Sequence, residues 1–366
     1  MLTTRATGRE NRLDLGANYK FSPTSQSWLK IGAGDENTHI GMDDRQRASP
    51  ILSQLDTLPR RRDIQYRHSL RLDADEWSWG LEHARMDTES ALVANSDGVQ
   101  IRQDQSDADQ SWSIYLTDRH HLNEKLLLDA GLPYQEYRKT SNSSSTWDST
   151  ALGSNSESFS RKGVYPGIGL AYTPATGEVW RLAYQKWLHP IASGTLSPVA
   201  TAGIALDDQV VLPGGKLERL RFQLERELSA ATFANLFLDA KRINNLGEPG
   251  NVLNQGVGVA NLDRLRNRAT LVFQINGEAL EQAPVFLQGR IASAGASLSQ
   301  RWGDTLTGYT SYVHTESENT SALYTGFKLP WLPRHQLTLG TTWSGPQRLM
   351  VQAQAVYRSS RYTDES

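Results

Sequence analysis

Residues able to do chemistry are sparse in this sequence and badly grouped for it. The 366 residues contain no HExxH pair, GxSxG turn, Walker loop or CxxC pair, and no cysteine at all. Thiolate metal sites, dithiol redox chemistry and disulfide frameworks are thereby removed. His120 and His121 are adjacent, but neighbouring side chains of a strand point to opposite faces, so the two do not share a metal. Gly167, Ile168 and Gly169 lack a third glycine and a following helix, and read as small residues on an inward face rather than a phosphate cradle. Asp104, Asp107, Asp109, Asp207 and Asp208 fall in long connections, where solvated charge is their plainest role. The expectation is a protein that is not an enzyme and carries no cofactor and no metal.

One group of charged residues does stand out by position. Arg67, Arg71, Arg181, Arg219, Arg221, Glu225 and Glu227 occupy the polar phase of alternating segments, opposite the apolar residues. In a water-filled lumen such residues set selectivity as pore-lining groups. In a filled or narrow one they pair across strands as ladders. The sequence leaves both roles open.

The elements that must hold these residues are strands. Leu13, Leu15, Ala17, Tyr19 and Phe21 alternate with Asp14, Gly16, Asn18 and Lys20, and Leu349, Val351, Ala353, Ala355 and Tyr357 repeat the pattern near the end. A period of two gives a strand one apolar and one polar side, where a helix would scatter the same residues around its axis. About fourteen such segments can be traced, near 13–21, 28–34, 63–73, 77–87, 111–118, 125–135, 164–173, 178–187, 216–228, 232–241, 286–300, 305–314, 335–343 and 348–358. In 217–228 a helical leucine stripe competes, and the strand is preferred because Leu220, Phe222 and Leu224 alternate with charged residues.

The connections between segments alternate strictly between short and long. Short ones such as 22–26, 74–76, 121–124 and 174–177 are followed by long polar ones such as 35–62, 88–110, 136–163 and 188–215. Membrane barrels have short periplasmic turns and long extracellular loops, whereas sandwiches do not. Only closed barrels and helices satisfy every backbone group in hydrocarbon, and a tilted strand of about 9–11 residues crosses it. No run of about twenty apolar residues is present, so no helix could do so. Trp28, Trp77, Trp79, Trp180, Trp187, Trp302, Trp343 and Tyr357 lie at segment ends, where interfacial girdles form, and Trp331 joins them. The formal charge of −2 gives no reason to expect a nucleic-acid partner. The fold expected is all-β: an antiparallel transmembrane β-barrel in the bacterial outer membrane, with outer-membrane lipid as its surroundings. Residues 1–366 read as one barrel domain of about fourteen strands, incomplete at both ends, with sixteen or more in the complete protein.

Two stretches carry a resemblance to known families. Leu329–Trp343 (LPWLPRHQLTLGTTW) and Ala355–Glu365 (AVYRSSRYTDE) resemble strands and a loop near the end of TonB-dependent receptor barrels. The segment from Arg181 to Glu227 looks like the C-terminal barrel of tetratricopeptide-repeat outer-membrane proteins. The second likeness implies a transport or export pore with a periplasmic helical-repeat domain encoded upstream. The first implies an uptake receptor for a scarce nutrient with a plug domain in that place. A third expectation, from the long Ser/Asn-rich connection around 138–162, is a structural or adhesive surface protein.

Overall fold

A computed structural model describes residues 2–44, 51–96, 99–191, 194–208, 210–245, 286–321, 325–329, 332–345 and 349–360. Trp331, most of the connection 242–285 and the closing residues 361–366 lie outside the described residues. The first half of the chain forms β1 (Leu2–Ser22), β2 (Ser25–Asp44), β3 (Ile51–Leu72), β4 (Asp75–Ser96) and β5 (Val99–Asn123). There follow β6 (Leu126–Gly131), β7 (Tyr134–Trp147), β8 (Thr150–Val164), β9 (Gly167–Ala175) and β10 (Glu178–Leu188). Two short strands, β11 (Ala200–Thr201) and β12 (Ile204–Ala205), precede β13 (Lys216–Ser229) and β14 (Thr232–Asn244). The chain ends with β15 (Gln288–Trp302), β16 (Leu306–Asn319), β17 (His335–Ser344) and β18 (Met350–Arg358). No helix among the described residues is long and apolar enough to cross a membrane.

All strands but β11 and β12 belong to one antiparallel sheet. Its order is β1-β2-β3-β4-β5-β6-β9-β10-β13-β14-β15-β16-β17-β18, fourteen strands each beside its neighbour in sequence, with the β7–β8 hairpin attached to β5. The fourteen alternating segments are these fourteen strands. The additional hairpin continues the lines of β6 and β9: Ile101–Ile114 of β5 pair with β7, and Thr117–Asn123 pair with β6. Pro133 and Pro166 mark the two breaks, because proline cannot donate to a ladder.

The long connections expected after β2, β4 and β6 are a correction. Much of 35–62, 88–110 and 136–163 is strand: β2 and β3 pair out to Asp44 and Ile51, and β4 and β5 out to Ser96 and Val99. These outer halves carry polar residues on both faces, as in Arg60-Arg61-Arg62 or Asp104 to Asp109, so no period-two apolar signal survives there.

Register sorts the side chains cleanly into two faces. Trp180, Leu224, Leu236, Ala296, Tyr312, Leu337 and Tyr357 stand opposite one another across seven strands. Ala17, Leu29, Tyr66, Leu81, Ile114, Tyr134 and Val164 do the same across seven others. Leu29, Leu81, Ile114, Trp180, Leu236 and Tyr357 are among the exposed large apolar residues, on the face that meets hydrocarbon. The other face is concave and polar, and there Gln65, Glu82, Ser113, Asp129, Gln185, Arg219 and Asp239 are buried. What buries them is the connection between β10 and β13.

Candidate functional site

The described residues of 189–215 cross the concave face as a strap, fastened to inward side chains of strands far apart in the sheet. From β3, Gln65 Nε2 donates to Gly194 O at 2.8 Å, and Gln65 Oε1 accepts from Leu196 N at 3.0 Å. From β4, Glu82 Oε1 accepts from Leu196 N at 2.8 Å, from Ser197 N at 2.9 Å and from the Thr195 hydroxyl. From β6, Asp129 Oδ2 accepts from Ala202 N at 2.8 Å. On the opposite side Gln185 Nε2 donates to Ile204 O at 3.2 Å, and Arg219 Nη1 donates to Ala205 O at 2.7 Å. Lys241 of β14 closes the series with an ion pair to Asp207. Strap backbone in a lumen needs such partners, because a buried N–H or C=O without one costs about 1–3 kcal/mol.

The centre of the strap is the β11–β12 hairpin, whose tip is Ala202-Gly203 at φ 50° and 81°. Two consecutive positive φ values make the tight turn whose twist suits a hairpin, and normally favour Asn or Gly at its first position. Alanine sits there because the space is gone. Ala202 is fully buried, and a Cβ added to Gly169 on β9 would lie 2.8 Å from its Cβ. Gly167 and Gly169 are thus the inward small residues expected from the sequence, cut back to admit the hairpin.

The structure places each charged candidate as follows. Arg67 lies on the concave face, its guanidinium 5.2 Å from the Trp28 ring centre and Nη1 3.4 Å from Leu196 O. Arg181 donates to Ala202 O at 2.9 Å and pairs with Glu225 at 3.2 Å. Arg219 is buried against Asp239 at 2.7 Å, and Arg221 shares that carboxylate at 3.2 Å while stacking over Phe237. Arg71, 3.7 Å from Glu76, and Glu227 are exposed at the short-turn end. Five of the seven therefore join one network with the strap, and two stand apart at the rim. Those five are held by the strap or by one another, Arg181 with Glu225 and both Arg219 and Arg221 with Asp239.

Two aromatic assignments need correction. Trp28 stands directly opposite Arg67 and Trp187 two positions beyond Gln185, so register puts both on the concave face. Trp187 packs with Val210, Val211, Leu217, Ile243 and Phe286 in a core under the strap's return. Trp77, Trp79, Trp180, Trp302, Trp343 and Tyr357 lie on the apolar face, five of them exposed. A tryptophan at a strand end announces an edge of the polar–apolar boundary but not a face, which only parity against the neighbouring strand supplies.

Gln65, Glu82, Asp129, Gln185 and Asp239 were not singled out by sequence reasoning. Their signal is faint: each is a polar residue in the inward phase of an alternating strand, indistinguishable there from solvated neighbours. Arg161 of β8 was also missed; it reaches Gly214 O at 3.1 Å, Asn244 O at 2.6 Å and Asn244 Oδ1 at 2.6 Å, tying the outer hairpin to the strap. The acidic residues of the long connections have partners. Asp104 pairs with Arg102 at 2.8 Å, Asp107 with Lys139 at 3.1 Å, Asp109 accepts the Tyr137 hydroxyl, and Asp208 faces His189 at 3.2 Å. The His189 imidazole, 3.2 Å away, holds the Asp208 carboxyl below the usual carboxylate range. Asp75, Asp118 and His120 bring donor atoms within 4.8 Å of one another on the outward face beside a short turn, with His120 Nδ1 already engaged by Asp75.

The profile of the family described as "TonB dependent receptor-like, beta-barrel" matches residues 2–199. No match to a curated protein reaches significance. Among solved structures, the ferric yersiniabactin uptake receptor FyuA of Yersinia pestis is similar at TM-score 0.67 and 11% identity, covering 97% of this chain and 50% of that one. The siderophore receptor PiuA of Acinetobacter baumannii is similar at TM-score 0.64 and 14% identity over 96% of this chain and 55% of that one. The ferric-catecholate import receptor Fiu of E. coli K12 is similar at TM-score 0.64 and 10% identity over 96% and 54%. The chain spans about half the length of these structures.

Proposed function

Because the chain belongs to the TonB-dependent receptor-like β-barrel family of the outer membrane, we propose that it is the wall of an uptake receptor that admits a scarce metal chelate on demand. The observation that carries this reading is the strap. A lumen crossed by residues 189–215, with Gln65, Glu82, Asp129, Arg181, Gln185, Arg219 and Lys241 all engaged, is built to stay shut until work is done on it. A passive export pore would leave the same inward charges free to water, as in porins. The similar solved structures are named for ferric chelates, and that substrate class is the one carried over here. A plug domain and an energy-coupling protein of the inner membrane are the partners this reading requires. Recognition falls to the outer halves of β2–β5 and to the β7–β8 hairpin, whose Ser/Asn-rich positions 141–145 and 154–156 offer hydroxyl and amide groups to a polar chelate.

The experiment is accumulation of radiolabelled iron from a panel of ferric siderophores by cells with and without the protein, each with the proton gradient intact or collapsed. Gradient-dependent accumulation of at least one chelate, lost on deletion, is expected. Accumulation that survives collapse of the gradient would favour a passive pore and sink the proposal.

A further inference from the structure

On the outward face, toward the side away from the short turns, one row of the apolar band finishes in two histidines. Leu182, Phe222, Leu238, Ala294, His314 and His335 stand opposite one another across β10, β13, β14, β15, β16 and β17. His314 and His335 are 21 positions apart in sequence, and register alone makes them partners. Their rings lie 4.9 Å apart, and their Nδ1 atoms face each other at 3.4 Å. Tyr312 stands one row nearer the middle of the sheet, with its hydroxyl oxygen 2.8 Å from His335 Nδ1.

The neighbours of this pair set where its hydrogens sit. His314 Nε2 lies 3.3 Å from Glu316 Oε1. A carboxylate only accepts, so in the neutral ring Nε2 carries the hydrogen and Nδ1 presents a lone pair toward His335. A hydrogen on His335 Nδ1 points first to the nearer Tyr312 oxygen and reaches His314 only at 3.4 Å, the long limit of a hydrogen bond. Without that hydrogen, two lone pairs face each other. A tetrahedral metal ion with metal–nitrogen bonds of about 2.0–2.1 Å holds two imidazole nitrogens about 3.3–3.4 Å apart, which is the separation found. The carboxylate completes the pattern, because a ligating histidine gives its other N–H to such a group, which fixes the ring. Glu316 does this for His314 and is itself held by Lys328 and Arg334, each at 2.7 Å.

We propose that His314 Nδ1 and His335 Nδ1, with the Tyr312 oxygen beside them, bind a tetrahedral divalent transition-metal ion. Zinc is the cation that fits both the imidazole donors and their spacing. The ion ties β16 to the first residue of β17, where the chain re-enters the wall after a long connection. The site lies on the outward face, away from the lumen, so it goes beyond the uptake reading and does not depend on it. No local spacing announces it, which is why the sequence alone leads to an expectation of no metal.

The test uses the full-length protein without a polyhistidine tag, stripped of metal by a chelator and titrated in neutral detergent with zinc or magnesium in a calorimeter. Zinc is expected to bind and magnesium not. E316Q removes the outer carboxylate and should weaken zinc about ten- to hundred-fold, and H335Q should weaken it more. H120Q alters the Asp75, Asp118 and His120 cluster beside a short turn and should leave this zinc in place. Cobalt bound to the unaltered protein gives a readout independent of how the variants fold: the intense visible absorption of a tetrahedral site, displaced by zinc. No zinc binding, or zinc held as tightly by H335Q as by the unaltered protein, overturns the proposal. So does zinc lost from H120Q and kept by H335Q, or the weak absorption of octahedral cobalt alone.

Discussion

At the scale of single residues, Glu82 is the most consequential contact between wall and strap. One carboxylate oxygen receives Leu196 N, Ser197 N and the Thr195 hydroxyl. Replacing it with alanine strands three donors in a buried place, and hydrogen bonds to charged groups are worth about 1.5–3 kcal/mol each before relaxation. Glu82→Ala should make local opening of the strap easier by about 2 kcal/mol, read as a roughly thirty-fold loss of amide protection at Leu196 and Ser197. Unchanged protection there would show that the strap is held elsewhere. Asp208 gives a pH-dependent counterpart. Its folded-state pKa lies below the unfolded one because the His189 imidazole lies against the carboxylate. The stabilisation is therefore complete above the unfolded value of about 3.9 and is lost as the pH falls through the lower folded value. Protection of Val211 N, which donates to Asp208 O, should stay flat from about pH 7 to about pH 4 and fall below that. Loosening already at about pH 6 would contradict the assignment.

At the scale of elements, the strands were readable and the strap was not. Fourteen strands announced themselves because a wall with lipid on one side and polar groups on the other imposes a period of two on each. The leucine-rich segment 217–228 resolved as β13 for that reason, despite its competing helical stripe. The strap carries no such period, and its partners are remote: Gln65 and Leu196 are 131 positions apart. Glu82 and Asp129 likewise declare themselves only once residues 195–202 are laid over them. A direct check of the strap's role uses the absence of native cysteine. A Cβ on Gly167 would lie 3.1 Å from Thr201 Oγ1, within reach of a disulfide, whose Cβ atoms stand about 3.5–4.5 Å apart. Gly167→Cys with Thr201→Cys should cross-link β9 to the hairpin under oxidation. Uptake should then stop, and return when the bond is reduced. Full uptake by the oxidised, cross-linked protein would mean that substrate passes without moving the strap.

At the scale of the whole molecule, the two faces of the sheet set opposite rules for substitution. Leu236 and Asn235 are neighbours on β14 and differ only in the side they face. Leu236 stands in the apolar row with Trp180, Leu224, Ala296 and Tyr312, near the middle of β14. Asn235 pairs with Glu225 on the concave face, where Arg181 already supplies a guanidinium. An arginine on the lipid face near the midplane costs about 2–4 kcal/mol, whereas a lumen substitution is solvated or paired. Leu236→Arg should therefore lower folding stability in phosphatidylcholine vesicles by about 2–4 kcal/mol, measured as a shift in the urea midpoint. Asn235→Arg, one residue away, should change it by less than about 1 kcal/mol, since Glu225 lies opposite to receive the new charge. The contrast is the test: a soluble sheet with a water-facing convex side would tolerate arginine at Leu236 at least as well as at Asn235. A comparable cost at both sites, or a larger one at Asn235, would remove the assignment of the convex face to hydrocarbon.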